Sequence, residues 1–516
     1  MTVAPRSTAP VQQARDLLHE LAVVDGADLD DAARIDLITA LECLKGAVAA
    51  AQARVTVAFA DSQLATAGTS RREQAQARRS VHAQVALARR ASPSLGDRYV
   101  GAARALVAEM PATMTALTHG TIGEPAALEL VAATAATTLP VRVEVDRRLA
   151  ATAPRVSPRR LGHLARAVVA ELDAAGVVDR NTRAVASRRV TCRPAPDGMA
   201  YLTVLGPLHE TVGAYAALKK HAATVMAGRD LAERPTGRHE GAIMTDTALR
   251  LLSGRRTGQT QPVAIQLVMT DRALTGIGNP DRSVMEPARL VGHGPVPAPT
   301  ARTWLRNHQQ HAAKTRTGIA GETGGDSQSD GGTPPDGTAE QAHVWVRRIF
   351  TEPTGRDLVA LVSKATLFPP ALVDYLVLRD DTCTTTWCGA PIAHADHIHH
   401  RRAGGKSTAA NGQGTCAHCN LLKEAPGWHH TLTATGLDHT SADKHHPHEV
   451  LITTPTGHTY RSTAPPVLGH NWRPPDQSDP PIHPLTHDPD TGAPLDLDRT
   501  EIARIHYELY GDGTAA

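Results

Sequence analysis

Aromatic residues are scarce in this 516-residue chain: they make up 3% of it, and only three are Phe. Its helices therefore have to pack through Ala, Leu and Val, whose small side chains let backbones approach closely. No run comes near the ~18 consecutive apolar residues of a membrane span, and the N-terminus lacks an apolar stretch of signal-peptide length. These absences predict a soluble, cytoplasmic protein without a membrane partner.

Neither sign of charge dominates, since 54 Lys and Arg stand against 52 Asp and Glu. The bulk charge gives no general attraction to a polyanion, so any nucleic-acid contact must come from local basic patches. Six cysteines are too few for a disulfide scaffold in a chain of this length, and they fit a reducing compartment. Cys43 and Cys192 have no partner at metal-ligand spacing, and we expect them to be small buried hydrophobic residues.

The length predicts about two to four domains, each able to bury its own core. Changes in composition and in hydrophobic period predict their boundaries. The expected segments are 1–29, disordered or partly helical; 30–185, an Ala/Arg-rich helical domain; 186–306, its mixed α/β continuation; 307–341, a flexible linker; 342–372, a β-hairpin and connector; 373–430, a cysteine-rich domain; and 431–516, a His/Pro-rich tail. The fold class predicted is α+β, mainly helical at first, with a few β-hairpins.

A long helix is predicted from about Asp30, with larger apolar residues recurring at intervals of mostly three and four. This stripe, which we expect to be buried against other helices, comprises Leu37, Leu41, Leu44, Val48 and Val55. Residues 71–90 alternate arginines with apolar residues and predict a helix with one strongly basic face. That face is either solvated or binds phosphate groups. Ser92-Pro93 and Ser157-Pro158 each have the form of an N-cap followed by the first helical residue.

Beyond the helical part, Asp197-Gly198 joins two apolar or β-branched runs and predicts a β-hairpin. A helix over residues 241–253 and a strand over 263–269 are expected next, followed by two strands at 344–350 and 358–362. The tail contains a tight group of histidines, His445, His446 and His448. Such tracts can bind metals weakly, but we interpret the tail as solvated and irregular.

Four cysteines carry the densest group of potential metal ligands. Cys383 and Cys388 form a C-x4-C pair, and Cys416 and Cys419 form a C-x2-C pair after a 27-residue gap. Two such thiolate pairs are typical of a structural Zn²⁺ site, in which metal binding supplies folding free energy to a small domain. A quartet without metal is the alternative.

The loop between the pairs offers a second set of groups. Asp396 and Asn420 carry hard oxygen ligands suited to Mg²⁺ or a similar divalent ion. His397 is a residue type that accepts a proton near neutral pH. Carboxylate, amide and imidazole together suit a phosphodiesterase with one catalytic metal ion.

The string of DH, GG, AAN and CxxCNLLK between residues 396 and 423 resembles the HNH endonuclease motif, in a zinc-knuckle form with Asn at the last position. The resemblance implies a ββα-metal fold with His397 on a β-hairpin and Asn420 on the following helix. It assigns His397 as general base, Asp396 and Asn420 as ligands of the catalytic divalent ion, and Asn411 as the residue that stabilises the loop.

The reaction implied is hydrolysis of a DNA phosphodiester to 3′-hydroxyl and 5′-phosphate ends, with the metal ion stabilising charge on the leaving oxygen. Arg401, Arg402 and Lys406 are candidates for holding the DNA backbone, or are an exposed basic loop without a dedicated role. Nearby histidines either touch the catalytic ion or are incidental surface residues. These are His394, His399 and His400.

Segments outside the motif widen the resemblance to a family in which an Ala/Arg-rich domain of unknown function, DUF222, precedes an HNH nuclease. They are LECLKGAVAAAQARV (residues 41–55), VALARRASPSLG (85–96), CRPAPDGMAYL (192–202), IQLVMTDRAL (265–274) and TPTGHTYRS (454–462). The function expected is a metal-dependent DNA endonuclease. The alternatives are a zinc-stabilised nucleic-acid-binding protein without cleavage and a helical scaffold with a vestigial nuclease module.

Overall fold

The computed structural model describes residues 9–230, 233–254, 267–270, 273–274, 287–306, 368–435 and 447–467. The chain divides into two compact units, Met1–Val85 with Leu95–Asn181 and Ala86–Ser94 with Thr182–Ala516. Helices build the first unit, and the strands of the described residues lie in the second, which confirms the α+β class. In the part of the chain that is described, no helix has both the length and the apolarity needed to cross a membrane.

Helices follow one another from Ala9 to Ala186. They are α1 (Ala9–Ala22), α2 (Asp31–Ala65), α3 (Arg71–Ala88), α4 (Gly96–Arg104), α5 (Pro111–Thr118), α6 (Glu124–Thr134), α7 (Leu139–Leu149), α8 (Pro158–Leu172) and α9 (Ala174–Ala186). The Asp30 side chain caps α2 by accepting from Ala33 N, and Ser157 caps α8 with Pro158 in its first turn. Both helix starts are as the sequence predicts. Ser92-Pro93 instead begins a 3₁₀ turn, after which α4 starts.

The predicted apolar stripe of α2 is half-buried at Leu37, Leu41 and Leu44 and wrong at Val48 and Val55, because a face of small residues is buried instead. That face comprises Gly46, Ala49, Ala50, Ala53, Thr56 and Ala60, whereas Val48 and Val55 are 42% and 68% exposed. A Cβ on Gly46 would lie 2.7 Å from Ile122 O. The close backbone approach that glycine permits therefore decides which face of α2 packs.

The main helical core consists of larger residues contributed mostly by the helices after α4. Its buried members include Leu106, Met110, Leu117, Leu130, Val145, Leu149, Leu161 and Val169. Asp146 is also buried there, and its carboxylate accepts from Ala112 N and Thr113 N at the start of α5. The carboxylate accepts hydrogen bonds from amide groups that have no partner within the helix, and its negative charge interacts favourably with the positive end of the helix dipole.

Two further expectations concern arginines and cysteines outside the core. On α3, Val81 and Val85 are buried, and the arginines at its start are exposed, as an amphipathic helix requires. Whether that basic face binds phosphate groups remains a prediction. Cys43 and Cys192 are exposed, so the expectation that both are buried is wrong. Cys43 lies in α2 outside its small-residue face, and Cys192 lies on a hairpin with both faces exposed.

The second unit begins with the predicted hairpin, β1 (Arg189–Pro194) paired with β2 (Ala200–Leu205). Asp197 and Gly198 both have positive φ at its turn. Two helices and a small sheet follow, α10 (Leu208–Met226), α11 (Glu240–Ser253), β3 (Leu267–Val268), β4 (Ala288–Leu290) and β5 (Gly294–Val296), with strand order β3-β4-β5. The expected linker and the two strands between residues 307 and 362 lie outside the described residues.

The cysteine-rich part combines one hairpin, two helices and a second sheet. Its elements are α12 (Pro370–Asp380), β6 (His394–His397), β7 (Gly412–Thr415), α13 (Ala417–Lys423), β8 (His429–Ala434), β9 (Glu449–Thr453) and β10 (Thr459–Thr463). The strand β9 lies between β8 and β10 in an antiparallel sheet.

The expectation of an irregular tail is wrong for the described residues 429–435 and 447–467. Val450 and Ile452 alternate with half-buried neighbours on β9, so the sheet has one buried face. This period of two is short, and the His, Pro and Thr around it concealed it. His448 is buried, whereas His445 and His446 lie outside the described residues.

Candidate functional site

The four cysteines of the motif come together. Cys383 and Cys388 follow α12, while Cys416 is the N-cap of α13 and Cys419 lies in its first turn. All four sulfurs lie within 4.8 Å of one another, and Cys388 Sγ is 3.8 Å and 3.7 Å from those of Cys416 and Cys419. A tetrahedral zinc with Zn–S distances of about 2.3 Å separates its sulfurs by about 3.8 Å. The cluster is therefore compatible with zinc binding.

Hydrogen bonding within the cluster distributes its negative charge. Contacts with Cys383 and Cys419 lower the pKa of Cys388 to about 3, whereas contacts with Cys383 and Cys388 raise the pKa of Cys419. The two pKa shifts are opposite because a negative charge on Cys388 disfavours a second one on Cys419 beside it. A divalent cation would satisfy all four thiolates at once, which is the electrostatic argument for a metal here.

A ββα unit holds the residues between the cysteine pairs. The strands β6 and β7 pair antiparallel, with Asp396 opposite Gln413 and His397 opposite Gly412. The helix α13 follows β7 after a single residue and carries Asn420. The expected positions of His397 on a hairpin and Asn420 on the next helix are confirmed.

Asn411 ties the loop between β6 and β7 to itself. Its Oδ1 accepts from His399 N at 2.8 Å, and its Nδ2 donates to His399 O and Lys406 O at 3.0 Å and 2.9 Å. The loop passes so close to itself that a Cβ on Gly405 would lie 1.9 Å from His399 O. Since both ends of the carboxamide are used, Asn411 acts on the backbone of the loop and fixes its shape.

The His397 ring is held on two sides and kept neutral. Its Nε2 lies 2.9 Å from Ser407 Oγ, and its centroid lies 4.4 Å from that of the Phe368 ring. Burial holds the pKa of His397 below its ordinary value; Asp396 opposes this shift, and the Lys423 ammonium reinforces it. A neutral imidazole with one nitrogen engaged can accept a proton at the other near neutral pH.

Lys423 reaches the Asp396 carboxylate from the last turn of α13. Its Nζ is 2.6 Å from Asp396 Oδ2 and also donates to His397 O, and its side chain is only 1% exposed. Asn420 precedes Lys423 by three residues, so both lie on the helix face directed at β6. Its Oδ1 is 3.4 Å from Thr415 Oγ1. The carboxylate of Asp396 and the amide oxygen of Asn420 are ligand types that suit a hard divalent cation.

A buried polar pair lies behind Asp396. Gln413 is fully buried, with its Nε2 3.5 Å from Asp396 Oδ2 and its Oε1 3.2 Å from His430 Nδ1. Burial lowers the pKa of His430 to about 3. The imidazole is therefore neutral, and its Nδ1 donates to the amide oxygen, which leaves the Gln413 Nε2 directed at the carboxylate.

The three predicted DNA-binding side chains are all exposed on the loop. Arg402 forms an ion pair with Glu424 at 2.9 Å, and Arg401 donates to Gly405 O at 3.3 Å. Lys406 has an exposed side chain and a backbone carbonyl held by Asn411. All three are available at the surface, and their contact with DNA remains a prediction.

The neighbouring histidines occupy different environments. His394 and His399 are exposed, and the backbone of His399 is what Asn411 binds. His400 lies beside Glu424, with its Nδ1 3.3 Å from Glu424 Oε1. His400 therefore has the Glu424 carboxylate as a partner. That His394, His399 and His400 are incidental surface residues stays a prediction.

Sequence reasoning missed Lys423, Ser407 and Gln413. The spacing of Lys423, three residues after Asn420 on a predicted helix, was a signal that could have found it. Ser407 and Gln413 had no comparable signal, because their contacts depend on how the loop folds and on hairpin register. The register alone places Gln413 opposite Asp396.

Two protein families match parts of this chain. Residues 44–320 match the family described as Domain of unknown function (DUF222), and residues 383–425 match the family described as HNH endonuclease. The first match covers more than half of the chain, and the second contains the cysteine cluster and the ββα unit. No curated protein and no solved structure matches the chain.

Proposed function

The chain belongs to the family with the domain of unknown function DUF222, and because an HNH endonuclease domain follows that domain, we propose that the protein is a metal-dependent endonuclease hydrolysing DNA phosphodiesters. The observation that carries this proposal is the ββα unit, in which Asp396 and His397 are the last two residues of β6, and α13 carries both Asn420 and the lysine that contacts Asp396. A hard-cation site directly beside a neutral imidazole is what hydrolysis of a phosphodiester by one metal ion needs.

His397 acts as the general base in this proposal. Its lowered pKa keeps the imidazole unprotonated near neutral pH, and Ser407 fixes the orientation of the ring. The ring nitrogen that does not face Ser407 takes the proton of the attacking water. Asn411 keeps the loop on which Ser407 sits folded against β6, since it bonds to the backbone on both sides of the glycine turn.

Asp396 and Asn420 would hold the divalent cation, Mg²⁺ or a related ion, through carboxylate and amide oxygens. The bound ion would supply Lewis-acid stabilisation of the charge that develops on the phosphate and on the leaving oxygen. The four cysteines would hold a structural Zn²⁺ that fixes the start of α13 and so the position of Asn420. Arg401, Arg402 and Lys406 are the proposed contacts with the DNA backbone, which carries one charge per phosphate.

One observation favours a second candidate function, a zinc-stabilised protein that binds nucleic acid without cutting it. The Lys423 ammonium lies 2.6 Å from Asp396 Oδ2, where it neutralises the carboxylate that a catalytic cation needs. If that ion pair persists with Mg²⁺ present, the hard-cation site is closed. Asp396 has a second oxygen that the pair does not use, and this favours the endonuclease.

Incubation of supercoiled plasmid with Mg²⁺ or Mn²⁺ tests the proposal, using the parent, His397→Ala and His429→Ala. His429 is an exposed histidine of the same domain and serves as the matched control. We expect nicking by the parent and by the control, with a loss of about 10² to 10⁴ in rate for His397→Ala. Equal nicking by His397→Ala would refute the assignment of the base. Binding to DNA without cleavage in any divalent ion would support the second function.

A further inference from the structure

A buried arginine links the DUF222 part of the second unit to the end of α12, just before the residues that match the HNH endonuclease family. Arg289 lies on β4, within the residues that match DUF222, and is 2% exposed. Its Nη2 donates to Leu378 O at 2.6 Å, and its Nη1 lies 3.0 Å from Asp381 Oδ1. The same Asp381 oxygen accepts from Gly292 N at 3.0 Å. The C-terminal end of α12 is therefore held by side-chain and backbone groups of the β3–β5 sheet.

Apolar packing accompanies these polar contacts. Val268 on β3 is buried in one cluster with Leu372, Tyr375 and Leu376 of α12. The same cluster includes Ala409, which lies two residues before Asn411. The sheet and the helix therefore share a hydrophobic core that extends to the loop of the candidate site.

The end of α12 continues the connection to the loop. Arg379, next to Leu378, donates to Ala409 O and Gly412 O at 2.6 Å and 2.8 Å. Asp380 pairs with the Arg379 guanidinium and accepts from Gly414 N at 2.7 Å. Those backbone groups lie on both sides of Asn411 and at the start of β7. Whatever fixes residues 378–381 thus also fixes the loop that Asn411 closes.

Burying the Arg289 guanidinium costs desolvation free energy, so these contacts contribute little net stability to the fold. Removing a guanidinium from water costs free energy that an ion pair only partly returns, and Arg289 Nε has no hydrogen-bond partner in the described part of the chain. Asp381 also has a φ of 60°, a left-handed conformation that non-glycine residues rarely adopt. A well-packed apolar contact would hold the sheet to α12 at lower cost, so the feature points to a need for a defined geometry at this helix end.

We propose that Arg289 is a positioning residue for the nuclease site, through which the β3–β5 sheet of the DUF222 part fixes α12 and, through Arg379 and Asp380, the Asn411 loop. Part of the domain of unknown function then helps to hold the nuclease site in its folded shape. The positioning of the loop stands on the contacts alone, whereas its consequence for catalysis rests on the proposed function.

Hydrogen exchange and cleavage kinetics of the full chain test this inference. Arg289→Met removes the charge and both contacts, whereas Asp381→Asn keeps an acceptor for Gly292 N and tolerates positive φ. Arg302→Met is the matched control, because Arg302 is a buried arginine of the same part of the chain whose contact, Ala273 O, does not involve α12.

We expect Arg289→Met to speed amide exchange over residues 398–414 by about tenfold or more, Asp381→Asn to have a smaller effect, and Arg302→Met to leave this segment at the parental rate. Arg289→Lys, which restores one cation, should recover part of the protection. In cleavage assays, kcat should fall about tenfold for Arg289→Met while KM for DNA stays unchanged, because the basic surface of the loop is intact.

Parental exchange over residues 398–414 in Arg289→Met would overturn the proposal, and so would equal effects of Arg289→Met and Arg302→Met. If Arg289→Met does not fold, Asp381→Asn decides on the same exchange criterion. An inactive parent would refute the endonuclease function without affecting the exchange result, so the two failures are distinguishable.

Discussion

Changing Lys423 to Met tests whether the lysine ammonium takes the place of a divalent metal ion beside Asp396. The Lys423 side chain is 1% exposed and that of Asp396 is 20% exposed, with 2.6 Å between the charged atoms. Removing one partner of a buried ion pair costs about 3 to 5 kcal/mol. Because Asp396 keeps some access to water, we expect the lower end, about 3 kcal/mol, which corresponds to roughly 150-fold in the local opening equilibrium.

Hydrogen exchange of zinc-loaded protein without other divalent ions would measure this loss. The reporter is the amide of Asn420, which donates to Cys416 O, the carbonyl of the N-cap residue of α13. We expect it to exchange roughly 150-fold faster in Lys423→Met than in the parent. Lys406→Met, which changes an exposed lysine of the same domain, should leave the rate unchanged.

Adding Mg²⁺ then separates the two candidate functions. A cation that binds Asp396 stabilises the folded state by about 2.7 kcal/mol at 100 times its dissociation constant. It should restore most of the protection in Lys423→Met and should protect the parent less, because the ammonium first has to leave. Parental exchange in the variant without Mg²⁺ would refute the role of Lys423. Absence of any Mg²⁺ effect in the variant would refute Asp396 as a metal ligand.

Two further predictions concern His448, the buried histidine that precedes β9, and the cysteine cluster. Burial lowers the pKa of His448 to about 4, from about 6.5 in the unfolded chain. Above about pH 6.5 the imidazole is neutral in both states. As pH falls from about 6.5 towards 4 the unfolded chain takes up the proton first, so the folded protein loses stability over that range. Between pH 7 and pH 5, urea unfolding should show a loss about 2 kcal/mol larger in the parent than in His448→Gln, and equal losses would contradict the assignment. Metal analysis should find tightly bound zinc in the parent and in Cys192→Ser, an exposed-cysteine control, but not in Cys416→Ser; full retention in Cys416→Ser would exclude the four-cysteine site.

Features that depend on neighbours in sequence were predictable. The cysteine pairs, the Asp197-Gly198 turn, the start of α2 near Asp30 and the N-cap Ser157 involve residues a few positions apart, whose geometry is set by local backbone chemistry. The candidate site residues came from the ligand chemistry of one short string and from its resemblance to the HNH motif, both of which are carried by residues close together in sequence.

Features that depend on distant contacts were not predictable. The buried face of α2 is chosen by the backbone near Ile122, which Gly46 alone can approach, and nothing in the helix itself ranks small residues above Leu and Val. Arg289 and Asp381 are 92 positions apart, and the sequence gives no sign that a basic residue on one short strand meets the end of a helix beyond the intervening segment. Such pairs are visible only once both elements are packed.

The position of Asn420 follows from two anchors at opposite ends of a very short helix. The seven residues of α13 are too few for a helix to be stable alone in water, since nucleation costs more than so few hydrogen bonds return. Cys416 and Cys419 tie its first turn to the cysteine cluster, and the buried Lys423 ties its last turn to β6. Asn420 lies between these anchors and can move only if one of them fails. Zinc loss and the Lys423 change should therefore disturb Asn420 independently, the first from the start of the helix and the second from its end.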